Sequence, residues 1–240
     1  PAVKETAWCA VASPGDAVAL LEQAKAASGG AVTGFEIVSK FGLKLVVEHV
    51  PDTRDPLPSA LEWRVLMELS LPRAEGAREM MEGILGAAIE GGVVGDAVIA
   101  ESEAQSRLIW KIREGVPEAE RHHGKALKHD VSVPVSRVAE FIARGAELVA
   151  KVAPGADIIA FGHVGDGNIH YNVTPPPGVD GDVYVEGDGK AVSEAVHDLI
   201  VELGGSISAE HGIGLLKRDE LVRRKAGVEI EMMRAVKAAL

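Results

Sequence analysis

Phe161-Gly-His-Val-Gly-Asp-Gly-Asn-Ile-His-Tyr-Asn172 holds two β-like runs around Asp166-Gly167. That pair suits a two-residue type I′ hairpin, because both turn positions need positive φ. Such a turn sets a register in which Gly165 opposes Asn168, Val164 opposes Ile169 and His163 opposes His170. The two imidazoles then share one face with Cβ atoms about 4.5 to 5.5 Å apart, and the side-chain period of two adds Phe161 and Asn172 to it. Imidazoles so placed can bite one metal ion at the roughly 2.0 to 2.1 Å nitrogen distance that zinc prefers. The competing reading is a pair of core histidines satisfied by backbone partners.

Working outward, Leu127 to Val133 reads as a strand and Val135 to Val152 as a helix ended by Pro154-Gly155. Asp157 to His163 and Asn168 to Val173 are the hairpin strands, Ala191 to Leu203 is a helix and Ser206 to Ala209 a strand. The order is βαββαβ. The first hundred residues give the same order without obvious sequence repetition. A strand at Thr6 to Val11 precedes Ser13, an N-cap with Pro14 at the first helical position. Val18, Leu21 and Ala24 recur at helical spacing until Ser28-Gly29-Gly30. Ala31 to Val38 is a strand, Asp52 to Pro58 a loop, Leu61 to Leu71 a strand, Glu75 to Glu90 a helix and Val93 to Ile99 a strand. A helix from Glu103 to Arg113 and a polar stretch join the halves. Two such split βαβ units predict an α+β fold, two ferredoxin-like βαββαβ units (about 6–100 and 127–210) forming a largely antiparallel sheet covered by helices.

A chain of 240 residues with 47% hydrophobic content can bury a sizeable core. The net charge of -11 offers no basic stripe for a phosphate backbone, which argues against nucleic acid. Neither G-x-G-x-x-G after a strand nor G-x-x-x-x-G-K-[ST] occurs, so no common phosphate cradle is present. No apolar run approaches the roughly 20 residues that span a bilayer, and the single Cys9 fits a reducing compartment. An intracellular, soluble protein is expected, cytoplasmic or peripheral to a membrane through a partner.

Ser208-Ala-Glu-His-Gly-Ile-Gly214 supplies further chemistry at a predicted strand end. Neighbouring residues in extended backbone point opposite ways, so Glu210 suits a metal ligand and His211 a free base. This segment and Gly162-His-Val-Gly-Asp-Gly-Asn-Ile-His170 resemble the paired signatures of the FAD-linked oxidase C-terminal domain. Ile109-Trp-Lys-Ile-Arg-Glu-Gly115 and Lys128-His-Asp-Val-Ser-Val-Pro134 extend the likeness. D-lactate dehydrogenases, the glycolate oxidase flavin subunit and D-2-hydroxyglutarate dehydrogenase belong to that family.

The resemblance implies that His163, His170 and Glu210 bind a divalent metal, zinc foremost, with manganese or iron also fitting. It implies His211 as catalytic base and Arg113, Lys128 and Asn172 as substrate-binding residues. It implies oxidation of a D-2-hydroxy acid of the lactate, glycolate, malate or 2-hydroxyglutarate type to the 2-oxo acid. FAD would sit on a flavin-binding domain outside this chain, so the chain alone would be inactive. Pro117 stands where relatives that take a dicarboxylate can carry a threonine, which leaves the acid open. The implied partners are the small hydroxy acid, the flavin domain, an unspecified electron acceptor and, as an open assembly state, a homodimer. The alternative is a metal- or small-acid-binding module without redox activity of its own.

Overall fold

The computed structural model describes residues 3–240. Its first half runs β1 (Val3–Val11), α1 (Pro14–Ser28), β2 (Val32–Ser39), α2 (Lys40–His49), β3 (Trp63–Leu71), α3 (Ala77–Glu90) and β4 (Asp96–Ile99). Helices α4 (Glu103–Glu114) and α5 (Val116–His123) link it to β5 (Asp130–Ser132), α6 (Val138–Val152), β6 (Ile158–His163) and β7 (Asn168–Val173). The rest is α7 (Gly181–Glu186), α8 (Gly189–Glu202), α9 (Arg218–Arg224) and α10 (Gly227–Ala239).

All seven strands form one antiparallel sheet in the order β4-β1-β3-β2-β6-β7-β5. The first four strands have the ferredoxin-like order, and the unit ends on β2. There β6 takes over, with Glu36 opposite His163 and Val38 opposite Phe161. The second unit repeats the order as far as β5, beyond which only a bridge between Ser132 and Ser206 remains. The strand expected over Ser206 to Ala209 is thus a single pair, because β5 is three residues long and the chain then turns its amides to a side chain.

Local chemistry explains the elements. The Ser13 hydroxyl accepts from the Asp16 amide at 3.2 Å, and Gly29 closes α1 at φ 62. Helix α2 fills the segment between the strand expected to end at Val38 and the loop expected from Asp52, where no element is expected, and α5 lies in the polar stretch; each buries one apolar stripe under a charged outer face. On one side of the sheet Cys9, Ile37, Val65 and Tyr171 pack against α1, α3, α6 and α8. On the other, Trp8, Leu66, Val38, Ile159 and Phe161 meet Leu43, Val46, Ile112 and Val116 of α2, α4 and α5. Burying side chains of this size contributes about 1.5 to 3 kcal/mol each. This second apolar layer ends at Phe161, and the same face continues with Glu36, His163, His170 and Asp130.

Candidate metal and active site

The hairpin is present, but its turn spans residues 164–167 and its register is displaced. Phe161, not His163, opposes His170, and Ile159 opposes Asn172. A type I′ turn needs two positive φ angles, and only Gly167 (φ 79) supplies one. Asp166 instead accepts the Asn168 amide at 3.0 Å, and the Val164 amide donates to the Phe35 carbonyl at 3.1 Å, drawing the end of β6 to β2. The displacement leaves the face unchanged, so His163, Phe161, His170 and Asn172 still line one side. A Cβ at Gly167 would lie 1.9 Å from the Val133 carbonyl oxygen, so only glycine lets the turn pass β5's end this closely.

His163 Nε2 stands 3.2 Å from Glu210 Oε1, and His170 Nε2 stands 3.6 Å from Glu210 Oε2. Behind each imidazole lies a buried carboxylate. Glu36 holds His163 Nδ1, and Asp130 Oδ1 lies 3.8 Å from His170 Nδ1. Asp130 also anchors the loop that carries Glu210 and His211. Its Oδ2 accepts the backbone amides of Glu210 (2.9 Å) and His211 (2.8 Å) and lies 3.5 Å from His211 Nδ1, while Asn168 donates to Oδ1 at 2.8 Å. Asp130, His170 and Glu210 each bring one donor atom within 4.8 Å of the others.

Charge follows burial and partners. Burial alone would raise the pKa of both Glu36 and Asp130, but hydrogen bonds outweigh it and both lie below the usual carboxylate range. For Glu36 these come from His163 and Arg113; for Asp130 they come from the two loop amides and Asn168. His163 is raised, first by its bond to Glu36, whereas His170 is lowered by burial. Carboxylates that draw a proton onto His163 would equally draw a divalent cation to Nε2 in its place.

Arg113 is buried, donates from Nε to Glu36 at 2.8 Å and lies over the Phe161 ring at 4.9 Å. Its Nη groups make no hydrogen bond among the described residues, so a fork remains for an anion. Lys128 and Asn172 share that face two positions along from Asp130 and His170. Both donate to Glu120 Oε2 of α5, at 3.2 and 3.0 Å, and the Asn172 oxygen accepts the His129 amide. All seven expected site residues therefore lie on one face, but three carboxylates unread in the sequence, Glu36, Asp130 and Glu120, hold them there. A charge inside the apolar run of β2 marks Glu36, and period two from Lys128 marks Asp130. Nothing local distinguishes Glu120.

The family model for FAD linked oxidases, C-terminal domain, matches residues 1–240. The chain belongs to that family. It is 37% identical over 212 residues to a D-2-hydroxyglutarate dehydrogenase of Stutzerimonas stutzeri, covering 86% of this chain and 44% of that protein. It is 30% identical over 221 residues to the mitochondrial D-2-hydroxyglutarate dehydrogenase of Arabidopsis thaliana, covering 92% and 38%. The chain thus spans less than half the length of these relatives. The Arabidopsis protein's compartment differs from the cytoplasm expected here. In structure the fold recurs in p-cresol methylhydroxylase (TM-score 0.65, 13% identity, 99% of this chain and 50% of that one). The 4-ethylphenol oxidase of Gulosibacter chungangensis is similar at a TM-score of 0.59 and 14% identity, covering 99% and 51%. Among the described residues no helix is long and apolar enough to cross a membrane.

Proposed function

We propose that residues 1–240 are the substrate- and metal-binding domain of an intracellular FAD-dependent dehydrogenase that oxidises a D-2-hydroxy acid to the 2-oxo acid. The observation that carries this reading is the convergence of His163 Nε2 and His170 Nε2 on the two oxygens of Glu210, with His211 adjacent. Two imidazoles and a carboxylate are a donor set for zinc, manganese or iron. His163, His170 and Glu210 would hold that ion. Asp130, rather than His163, has a donor atom within 4.8 Å of both His170 and Glu210, but its oxygens already accept three hydrogen bonds and serve better as the support behind His170 and His211. A divalent ion there would lower the pKa of the substrate hydroxyl and fix its orientation.

The protein's own groups supply the rest. With Nδ1 turned to Asp130, His211 presents Nε2 to take the hydroxyl proton. Arg113, fixed by Glu36 and Phe161, offers its free fork to the substrate carboxylate. Lys128 and Asn172 line the far end. The flavin, carried outside this chain, would accept the hydride from the hydroxyl-bearing carbon. Elemental analysis of the purified full-length protein by plasma mass spectrometry tests the reading. The expected result is about one equivalent of divalent metal, lost in a His163→Ala/His170→Ala double variant; equal metal content in both proteins overturns it.

A further inference from the structure

We propose that Glu120 is a specificity-determining residue that sets the substrate site against a second carboxylate. The acid oxidised is then a 2-hydroxy monocarboxylate whose tail is neutral or donates a hydrogen bond. The inference rests on the reading above, which places Lys128 and Asn172 at the substrate.

Glu120 is 1% exposed. Its Oε2 takes both the Lys128 ammonium and the Asn172 amide, while Oε1 is buried with no hydrogen-bond partner. Lys128, the cation that would greet a distal carboxylate, is therefore already matched by a buried negative charge. A second carboxylate arriving there would have to displace the buried Glu120 carboxylate from the half-exposed Lys128 and then sit beside its like charge. Arg113, by contrast, keeps its Nη fork free and can hold the one carboxylate that every 2-hydroxy acid has. Lys25 and Lys217, the other ammonium groups near the site, turn to the Gly165 and Ile207 carbonyls. With Oε1 buried and unpartnered, Glu120 has no donor at that oxygen to offset its charge, which leaves that charge to act on whatever binds at Lys128.

The test is steady-state kinetics of the full-length flavoenzyme with D-lactate, D-glycerate and D-2-hydroxyglutarate and an artificial electron acceptor. The monocarboxylates are expected to lead in kcat/KM by about tenfold or more. Glu120→Gln, which keeps the shape and removes the charge, should raise the ratio of D-2-hydroxyglutarate to D-lactate about tenfold, mainly through KM. Lys128→Met should leave that ratio within about twofold by itself but erase the gain in the Glu120→Gln background, a coupling that a merely structural role would not show. Preference for D-2-hydroxyglutarate in the wild type, or an unmoved ratio in Glu120→Gln, overturns the inference. Should Glu120→Gln not fold, Lys128→Met decides alone, because a roughly tenfold fall in the ratio would mean that Lys128 is free to bind the second carboxylate. If none of the acids reduces the flavin, the dehydrogenase reading itself fails.

Discussion

The two ferredoxin-like units share a topology and differ in how far their ladders run. In the first, β1 and β3 pair over nine residues from Val3 and Leu71 to Val11 and Trp63, and both faces are covered by apolar side chains. In the second, β5 pairs with β7 over three residues and its other edge keeps one bridge. Where backbone pairing stops, a side chain replaces it: Asp130 receives the Glu210 and His211 amides that a longer strand would have paired. The shortened ladder is what frees a glycine-flanked loop to bring a carboxylate and an imidazole onto the sheet face. The first unit is scaffold, and it lends the site Glu36 alone, at the seam.

If that division is right, the largest effect comes from the loop. His211→Ala in the full-length enzyme should lower kcat by about 10² to 10⁴-fold, the usual worth of a general base, with KM changed only a few-fold. Wild-type turnover in that variant would remove His211 from the mechanism. Next comes the turn that approaches β5. Gly167→Ala should cost more than about 3 kcal/mol, since the added carbon meets a backbone carbonyl that cannot give way. Gly29→Ala in the first unit meets nothing within 4 Å and should cost about 1 kcal/mol for its left-handed φ. Urea midpoints measure both, and equal costs would mean that the second unit yields where the structure has it tight.

The supporting carboxylates sharpen the comparison further. Glu36→Gln and Asp130→Asn should each weaken metal binding about 10 to 100-fold in chelator competition, with His163, His170 and Glu210 intact. Asp130→Asn should be the worse of the two, since it disturbs the loop amides as well as His170. Unchanged affinity in both would leave the convergence on Glu210 without need of its buried support.

What the sequence shows of all this follows from the range of the interactions. Helix α1 was readable because Ser13, Pro14 and Gly29 mark its ends within the segment itself. The face shared by His163, His170 and Asn172 was readable because period two survives a displaced register. The register was not, because the pull of Phe35 on Val164 comes from a strand 129 positions away in sequence. For the same reason Glu36 shows in the sequence only as a charge within an apolar run, with no sign of its partners, and Glu120 shows nothing of its role. Each is defined by what it touches across the fold: Glu36 reaches Arg113 and His163, and Glu120 reaches Asn172.

The last contrast separates the units by pH. Among the described residues only His129 and His197 are buried histidines, and both lie in the second unit. His129 bonds the Tyr171 carbonyl through Nδ1 at 2.7 Å and Ser193 through Nε2 at 3.0 Å. A carbonyl only accepts, so Nδ1 carries a proton, and Nε2 is free to accept from the Ser193 hydroxyl. Burial holds its pKa at about 4, and burial lowers His197 as well. A folded pKa below the unfolded value means that the unfolded chain takes up the proton first. Stability is then complete above about pH 6.5 and falls as pH drops towards 4, by on the order of 2 kcal/mol at pH 5 for His129. His163, whose pKa is raised, acts in the opposite sense and above this window, where its stabilisation is lost as pH rises; Glu36 and Asp130 lose theirs only at more acidic pH. Hydrogen exchange at pH 7 and pH 5 should therefore show protection falling in β5, β7 and α8 while β1 and β3 hold, and His129→Gln should flatten the difference. Uniform loss across the sheet would show that the two units open as one body, and that their unequal ladders matter for the site but not for stability.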